Sequence, residues 1–274
     1  MVEDIRALED MARQIRMDVV SMIHESGDGH PGPALSIVDI LVALYFATMR
    51  VDPRDPSWPD RDRFILSKGH GCVGLYATLA RKGYFSIDLL PTLRALGSIL
   101  QGHPDVNKTP GLDATSGSLG HGLSIGMGMA MAARLQGRDY SVFVLTGDGE
   151  LQEGIVWEAA MCARTFDVGK LIAIIDFNRF QSGCAIESNN GLLPILPKWQ
   201  AFGWHCQEVD GHDIGQILEA VRLAQRETRA PSMILAHTIK GKGVPFMEGD
   251  NSWHKRVPTA VELSEALAAL KDRA

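Results

Sequence analysis

The sequence lacks closely spaced pairs of cysteines. The chain has four cysteines, and they lie far apart without forming a C-x-x-C pair: Cys72, Cys162, Cys184 and Cys206. This spacing argues against a zinc knuckle, a redox motif and a disulfide framework. We therefore expect buried or incidental thiols.

An excess of positive charge is also missing. The chain has 27 Lys and Arg residues against 33 Asp and Glu residues, a net charge of −6, and no basic block. The sequence therefore provides no basic surface to bind nucleic acid, and we expect no nucleic-acid partner. A small phosphate ligand is still compatible with this charge, because backbone N–H groups and a bound cation can hold it without a basic surface.

Long apolar runs are absent as well. No stretch approaches the roughly 18 apolar residues of a membrane span, so we expect no membrane partner. Residues 1–20 carry acidic side chains and lack both a basic start and an uninterrupted apolar core, which argues against a signal peptide. We therefore expect a cytoplasmic protein.

The size and composition are those of a globular chain with a sizeable core. The 274 residues are 45% hydrophobic and 22% charged, which suits one large domain over residues 1–274. Short apolar runs rich in β-branched residues predict strands at 64–66, 141–145, 171–175, 204–209 and 232–237. Apolar spacing predicts a first helix that ends at Gly27 and Gly29. Further helices are predicted at 36–49, 120–135, 151–166, 214–229 and 261–270, with an extended loop over 241–258.

The alternation of these elements predicts the fold class. Strands that alternate with helices indicate an α/β domain, a doubly wound and mostly parallel sheet with helices on both faces. Because crossovers are right-handed, the strand-to-helix loops gather at one edge of the sheet, where ligands of such folds bind.

The sharpest local signal lies at that edge. Thr146-Gly147-Asp148-Gly149-Glu150 follows a predicted strand directly and precedes a helix. The glycines allow a ligand to approach the backbone closely, and Asp148 offers a carboxylate. Alone, such a tripeptide can equally be a plain turn.

A second strand end makes a metal site the better interpretation. The strand at 171–175 ends in Asp176-Phe177-Asn178-Arg179-Phe180. A carboxylate and an amide oxygen from adjacent strand ends are hard ligands that suit Mg²⁺ or Ca²⁺ and not zinc. Since Mg²⁺ completes its shell with phosphates and water, a diphosphate cofactor fits this pair.

At this point the sequence resembles a known family. The segment from Gly147-Asp148-Gly149 to Asn178 looks like the thiamine diphosphate motif that begins G-D-G and ends in Asn. Four further stretches resemble, in the right order, the N-terminal half of transketolases: Gly29-His30-Pro31-Gly32, Ser67-Lys68-Gly69-His70-Gly71, Gly102-His103-Pro104 and Gly117-Ser118-Leu119-Gly120-His121-Gly122. The resemblance runs from about residue 11 to residue 258. It implies the diphosphate-binding domain of the thiamine diphosphate fold.

The resemblance also implies the cofactor site. Asp148 and Asn178 match the ligands of Mg²⁺, for which Ca²⁺ or Mn²⁺ can substitute, and the backbone carbonyl of Phe180 is the implied third protein ligand. The positions that match contacts to the diphosphate or its loop are His70, Gly120, Gly149 and Asn178. Glu153 matches an acid of a hydrogen-bonded network at the dimer interface. His121 departs from the family, which commonly has Gln there.

Three histidines match the substrate channel of the family: His30, His103 and His254. Ketol transfer moves protons on and off hydroxyl and carbonyl oxygens, which suits imidazole near neutral pH. Lone histidines are more often ordinary surface or core residues, and we expect this of His24, His205, His212 and His237. Lys242, near Trp253-His254, could serve the substrate or merely the solvent.

The second half of a transketolase has no counterpart here. Nothing after residue 258 resembles the family's pyrimidine-binding domain, which carries the activating glutamate, or its C-terminal domain. We therefore expect the N-terminal subunit of a split transketolase, in an α2β2 heterotetramer with a C-terminal subunit that carries the pyrimidine-binding domain; a fragment of a longer chain is the alternative. The expected reaction is two-carbon ketol transfer from a ketose phosphate to an aldose.

Two other functions stay open. A deoxyxylulose-phosphate synthase subunit would use the same cofactor, but Gly102-His103-Pro104 and Trp253-His254 favour transketolase. A non-catalytic thiamine diphosphate-binding module is disfavoured, because a pure binder has little need for three channel histidines.

Overall fold

Five parallel strands form the centre of the molecule. The computed structural model describes residues 4–272. The strands are β1 (Arg63–Leu66), β2 (Val142–Gly147), β3 (Leu171–Phe177), β4 (His205–Asp210) and β5 (Ser232–His237). They are arranged in the order β1-β2-β3-β5-β4, and every neighbouring pair is parallel. All five strands lie where the sequence predicts them, to within three residues at each end.

Helices surround this sheet. The α-helices of the described residues are α1 (Ile5–Ser26), α2 (Pro31–Leu35), α3 (Val38–Val42), α4 (Cys72–Lys82), α5 (His121–Leu135), α6 (Gly154–Thr165), α7 (Leu196–Ala201), α8 (Ile214–Arg226) and α9 (Ala260–Asp272). Asp4 caps the start of α1, and Gly27 ends it with a positive φ of 68°. Within residues 4–272, none of the helices combines the length and the apolar character that a membrane crossing needs.

The sheet is buried on both faces. Phe143 and Leu145 of β2 point into one apolar cluster, and Val142 and Val144 point into the other. Every residue of β2 and β3 is buried. This alternation confirms a doubly wound α/β fold, because each face of the central strands needs its own layer of helices.

Two predicted helices are subdivided. The segment at 36–49 is not one helix: α3 is followed by a π-helical stretch over Ala43–Thr48. The Thr48 hydroxyl donates to the Ala43 carbonyl five residues back and the Met49 N–H donates to the Leu44 carbonyl, which widens the turn. The helix predicted at 151–166 begins later, at Gly154, because Gly149–Gln152 forms a 3₁₀ turn and Glu153 is extended.

The remaining boundaries differ little. Helix α8 ends at Arg226 because Glu227 adopts an extended backbone, so the prediction to residue 229 was three residues too long. The predicted loop at 241–258 contains only a short 3₁₀ turn, Asn251–His254.

Candidate active site

A cleft of about 430 Å³ opens at the carboxyl edge of the sheet. The loops that follow β2, β3 and β5 meet there, because parallel strands end at the same edge. The cleft is lined by eight of the site residues predicted from the sequence: His30, His70, Asp148, Gly149, Glu153, Asn178, Phe180 and His254. The structure thus brings together residues that are up to 224 positions apart in sequence, from His30 to His254.

Two predicted site residues lie just outside the cleft lining. The His103 ring is adjacent to Gly117, which does line the cleft, so His103 is at its rim. Gly120 caps α5 with a positive φ of 83°, and a Cβ there would lie 2.8 Å from the Glu153 side chain. Only glycine fits this close approach.

Asp148 is a buried carboxylate at the end of β2. Its Oδ1 accepts the N–H of Gly149 at 2.7 Å, and its Oδ2 accepts the N–H of Arg179 at 2.5 Å. Burial, reinforced by the charge of Asp176, raises the pKa of Asp148 to about 7. A cation beside this carboxylate would favour its ionised form.

Asn178 and Phe180 complete a set of hard oxygen atoms. The Asn178 amide donates to Asp176 at 2.8 Å, while its Oδ1 accepts the N–H of Phe180 at 3.1 Å. Over residues 4–272, no three or more His, Cys, Asp or Glu side chains group as metal ligands. One carboxylate, one amide and one backbone carbonyl nevertheless suit Mg²⁺, which takes few carboxylates and shares its shell with phosphate. These three residues therefore fit a magnesium ion that is shared with a diphosphate.

The buried carboxylate of Asp176 orients Asn178. Its Oδ2 accepts from Lys68 Nζ at 2.5 Å and from Ser36 Oγ at 2.8 Å, and its Oδ1 accepts from the Thr238 hydroxyl. Burial acts to raise the pKa of Asp176, but the Lys68 charge and these hydrogen bonds lower it overall. The Asn178 amide is held by a carboxylate that stays charged.

Glu150 organises the glycine loops, a role that the sequence did not reveal. Its Oε1 accepts the N–H of Gly120 at 2.7 Å and the Ser67 hydroxyl, and its Oε2 accepts the N–H of Gly147 at 2.9 Å. Burial raises the pKa of Glu150. The signal in the sequence was its place directly after Gly147-Asp148-Gly149, but its backbone partners could be identified only from the fold.

Three histidines form a compact cluster over the cleft. The ring centroids of His30, His70 and His254 lie 5.3 to 5.5 Å apart. Burial lowers the pKa of His30 to about 4, that of His70 to about 2 and that of His254 to about 3. Their imidazoles are therefore neutral near pH 7, each with one nitrogen that donates and one that accepts. The Nδ1 of His30 is buried and has no hydrogen-bond partner in the described chain.

Lys240 is the second residue that the sequence did not reveal. Its Nζ donates to Asn251 Oδ1 at 2.6 Å and to His254 Nδ1 at 2.9 Å. Burial, with the nearby Lys68 charge, lowers the pKa of Lys240 to about 8. Lys240 lines the cleft, whereas Lys242, singled out from the sequence, is outside that lining; its backbone carbonyl accepts from Arg16 Nε.

Comparison with known proteins identifies the family. The protein-family model described as "Transketolase, thiamine diphosphate binding domain" matches residues 7–270 of this chain. A 6-deoxy-6-sulfo-D-fructose transketolase subunit, SqwG, of Clostridium sp. (strain MSTE9) is 46% identical over 264 residues, covering 96% of each chain. An apulose-4-phosphate transketolase subunit of Phocaeicola vulgatus is 42% identical over 269 residues, covering 98% of this chain and 95% of that one.

Longer transketolases match over part of their length. The human transketolase is 38% identical over 253 residues, which are 92% of this chain but 40% of the human one. The solved transketolase of Campylobacter jejuni superposes with a TM-score of 0.93 at 30% identity, covering 98% of this chain and 43% of that one. This chain belongs to the transketolase family and carries its thiamine diphosphate-binding domain, as part of a ketol-transferring enzyme.

Proposed function

We propose that this chain is the thiamine diphosphate-binding subunit of a two-chain transketolase. The observation that carries the proposal is the cleft that combines Asp148, Asn178 and three neutral histidines at one sheet edge. The two relatives named as subunits support it, because the chain spans 95 to 96% of their length. A transketolase subunit is therefore favoured over a deoxyxylulose-phosphate synthase subunit.

The chain's own residues would hold the magnesium cofactor. Asp148, Asn178 and the Phe180 carbonyl bind the metal ion, and His70 with the loops at Gly120 and Gly149 contacts the diphosphate. When bound, thiamine diphosphate supplies the electron sink for the ketol carbanion. Glu150 acts indirectly, since it keeps the N–H groups of two glycine loops in place.

The histidines would transfer protons to and from the sugar and form hydrogen bonds with its hydroxyl groups. His30 and His254 are neutral and close together, so both imidazoles can form a hydrogen bond with a substrate oxygen. Lys240 donates to His254 Nδ1, which leaves the His254 Nε2 hydrogen for the cleft. His103, at the rim, would bind the sugar farther from the cofactor.

A partner chain would supply the missing parts. We expect a C-terminal subunit with the pyrimidine-binding domain and its glutamate, assembled as an α2β2 heterotetramer. Glu153, which is exposed beside the cleft, would join the network at that interface. Four free cysteines fit the reducing cytoplasm, where we place the enzyme.

The substrates we propose are a ketose phosphate donor, a pentose or hexose phosphate first, and an aldose acceptor. The two subunit relatives are named for different sugars, one sulfonated and one an apulose phosphate. Sulfonated and branched sugars therefore belong in the same substrate screen.

The test is ketol transfer by the complex reconstituted with the partner chain. We expect His103→Ala to lower turnover while cofactor binding stays near normal, because His103 lies at the rim and not at the diphosphate. His205→Ala, at the opposite end of the sheet, is the matched control and should behave as wild type. An unchanged rate for His103→Ala would remove the role assigned to His103, whereas a wild-type complex without ketol transfer would favour a non-catalytic binding module.

A further inference from the structure

A buried ionic network lies behind the cleft, outside its lining. Arg16 of α1 donates to both carboxylate oxygens of Asp39 of α3, at 3.0 and 2.5 Å. His212, in the loop between β4 and α8, donates from Nδ1 to Asp39 Oδ2 at 2.7 Å. Arg16 and Asp39 are 7% and 6% exposed, and the His212 side chain is 9% exposed. The network thus joins three distant segments of the chain.

This network holds a single loop at two points. His212 Nε2 accepts the backbone N–H of Ile239 at 2.8 Å, and Arg16 Nε donates to the Lys242 carbonyl at 3.1 Å. Lys240 lies between these two anchors. Its ammonium is the group that contacts His254 and Asn251 in the cleft.

The network has one definite arrangement of hydrogens. Because His212 Nε2 accepts an N–H, it carries no hydrogen of its own, and Nδ1 is the donor to Asp39. Burial acts to raise the pKa of Asp39, but Arg16 and the hydrogen bond from His212 lower it to about 2. Asp39 therefore stays charged and keeps His212 in the orientation that binds the loop.

The loop has little freedom to compensate for a lost anchor. A Cβ at Gly32 would lie 3.0 Å from Lys240 Cγ, and the Gly241 N–H donates to the Gly32 carbonyl at 3.1 Å. The aliphatic stem of Lys240 is thus packed against backbone. A shift of the loop backbone would therefore move the ammonium relative to His254.

We propose that Arg16, Asp39 and His212 are positioning residues that hold the Ile239–Lys242 backbone so that the Lys240 ammonium stays on His254. This role rests on the proposed function, because it concerns the same cleft. Buried ion pairs contribute little net stability compared with apolar residues, so a positioning role gives this one a use beyond folding.

Two substitutions of His212 separate positioning from folding. His212→Asn can keep the donor to Asp39 but loses the acceptor for Ile239 N–H. His212→Gln can reach that N–H with its Oε1 and keeps the acceptor. We expect kcat of the assembled complex to fall about 10- to 100-fold in His212→Asn, since misplacement by about 1 Å costs that much. His212→Gln should recover most of the rate, and His205→Asn should leave it unchanged.

A double-mutant cycle tests whether the effect passes through Lys240. In a Lys240→Ala background, His212→Asn should cause no further loss of kcat, while its effect on thermal stability persists. Equal rate losses with and without Lys240 would overturn the proposal. The proposal would also be overturned if the rate loss were fully explained by the loss of folded protein and were the same in His212→Asn and His212→Gln.

Chemical labelling of the same complex gives a readout that needs no turnover. Acetic anhydride labelling followed by mass spectrometry should show Lys240 several-fold more reactive in His212→Asn than in wild type. Lys68, held by Asp176 and the Pro33 carbonyl, is the internal control and should not change. If the wild-type complex transferred no ketol unit, the proposed function would fail, and the labelling would still decide the positioning. Unchanged Lys240 labelling in His212→Asn would refute it.

Discussion

Glu150 is the residue whose replacement most directly tests the structure of the glycine loops at Gly120 and Gly147. It is buried, and its carboxylate accepts from Ser67, Gly120 and Gly147. These residues belong to the segments after β1, before α5 and at the end of β2. We consider Glu150→Gln and Glu150→Ala, which remove one acceptor and all acceptors respectively.

The magnitude follows from two opposing effects. Glutamine has one oxygen, so either the Gly120 or the Gly147 N–H faces an NH₂ group and loses a charge-assisted bond of about 1.5–3 kcal/mol. Burial raises the pKa of Glu150, so removing its charge relieves part of the desolvation cost. We expect a net destabilisation of about 1–3 kcal/mol for Glu150→Gln and about 3–5 kcal/mol for Glu150→Ala, which adds a cavity.

Thermal unfolding of the chain and the KM for thiamine diphosphate in the assembled enzyme measure these effects. At about 2–4 °C per kcal/mol, the Tm should fall by several degrees in Glu150→Gln and further in Glu150→Ala. The KM should rise in the same order, because both glycine loops border the cleft. Glu158→Gln, on the exposed face of α6, is the matched control. The reasoning is refuted if Glu150→Ala is no worse than Glu150→Gln, or if both match wild type.

Three further predictions concern stability. Gly120→Ala should lower the free energy of unfolding by at least about 1–2 kcal/mol in denaturant titration, because its φ of 83° disfavours a side chain, whereas the helical Gly128→Ala has open space and should be neutral or stabilising. Lys68→Met should cost about 3–5 kcal/mol in the same titration, since it leaves Asp176 as an unpaired buried charge; a loss under about 1 kcal/mol would contradict this. Asp39, whose pKa falls from 3.8 to about 2 on folding, should contribute about 2 kcal/mol that is present above pH 4 and lost toward pH 2, so the acid side of a Tm-against-pH curve should be shallower in Asp39→Asn.

The fold could be predicted because its signals are local. Strands such as β2 and β3 are short runs of β-branched and apolar residues, buried on both faces, and such runs are visible in sequence. The π-helical stretch at Ala43–Thr48 could not be foreseen, because its apolar pattern is that of an α-helix and only the hydrogen bonds of Thr48 and Met49 distinguish it.

The site was predictable where side chains follow strand ends, and not where the partners are distant. Asp148 and Asn178 lie directly after β2 and β3, so their proximity follows from the parallel sheet. Lys240 and His212 gave no comparable signal, since their roles depend on contacts with His254 and with Asp39, the latter 173 residues from His212. His212 was expected to be an ordinary histidine, and its location in a buried ionic network became apparent only in the folded chain.

The central claim is that this chain holds the magnesium cofactor for a transketolase completed by a second chain. The most direct test is to purify the tagged chain from its own cells in Mg²⁺ and thiamine diphosphate, and to record the native mass of the complex. We predict an α2β2 assembly with bound thiamine diphosphate, in which the partner carries the pyrimidine-binding domain. A chain recovered alone without cofactor, or one that transfers ketol units fully by itself, would contradict the account.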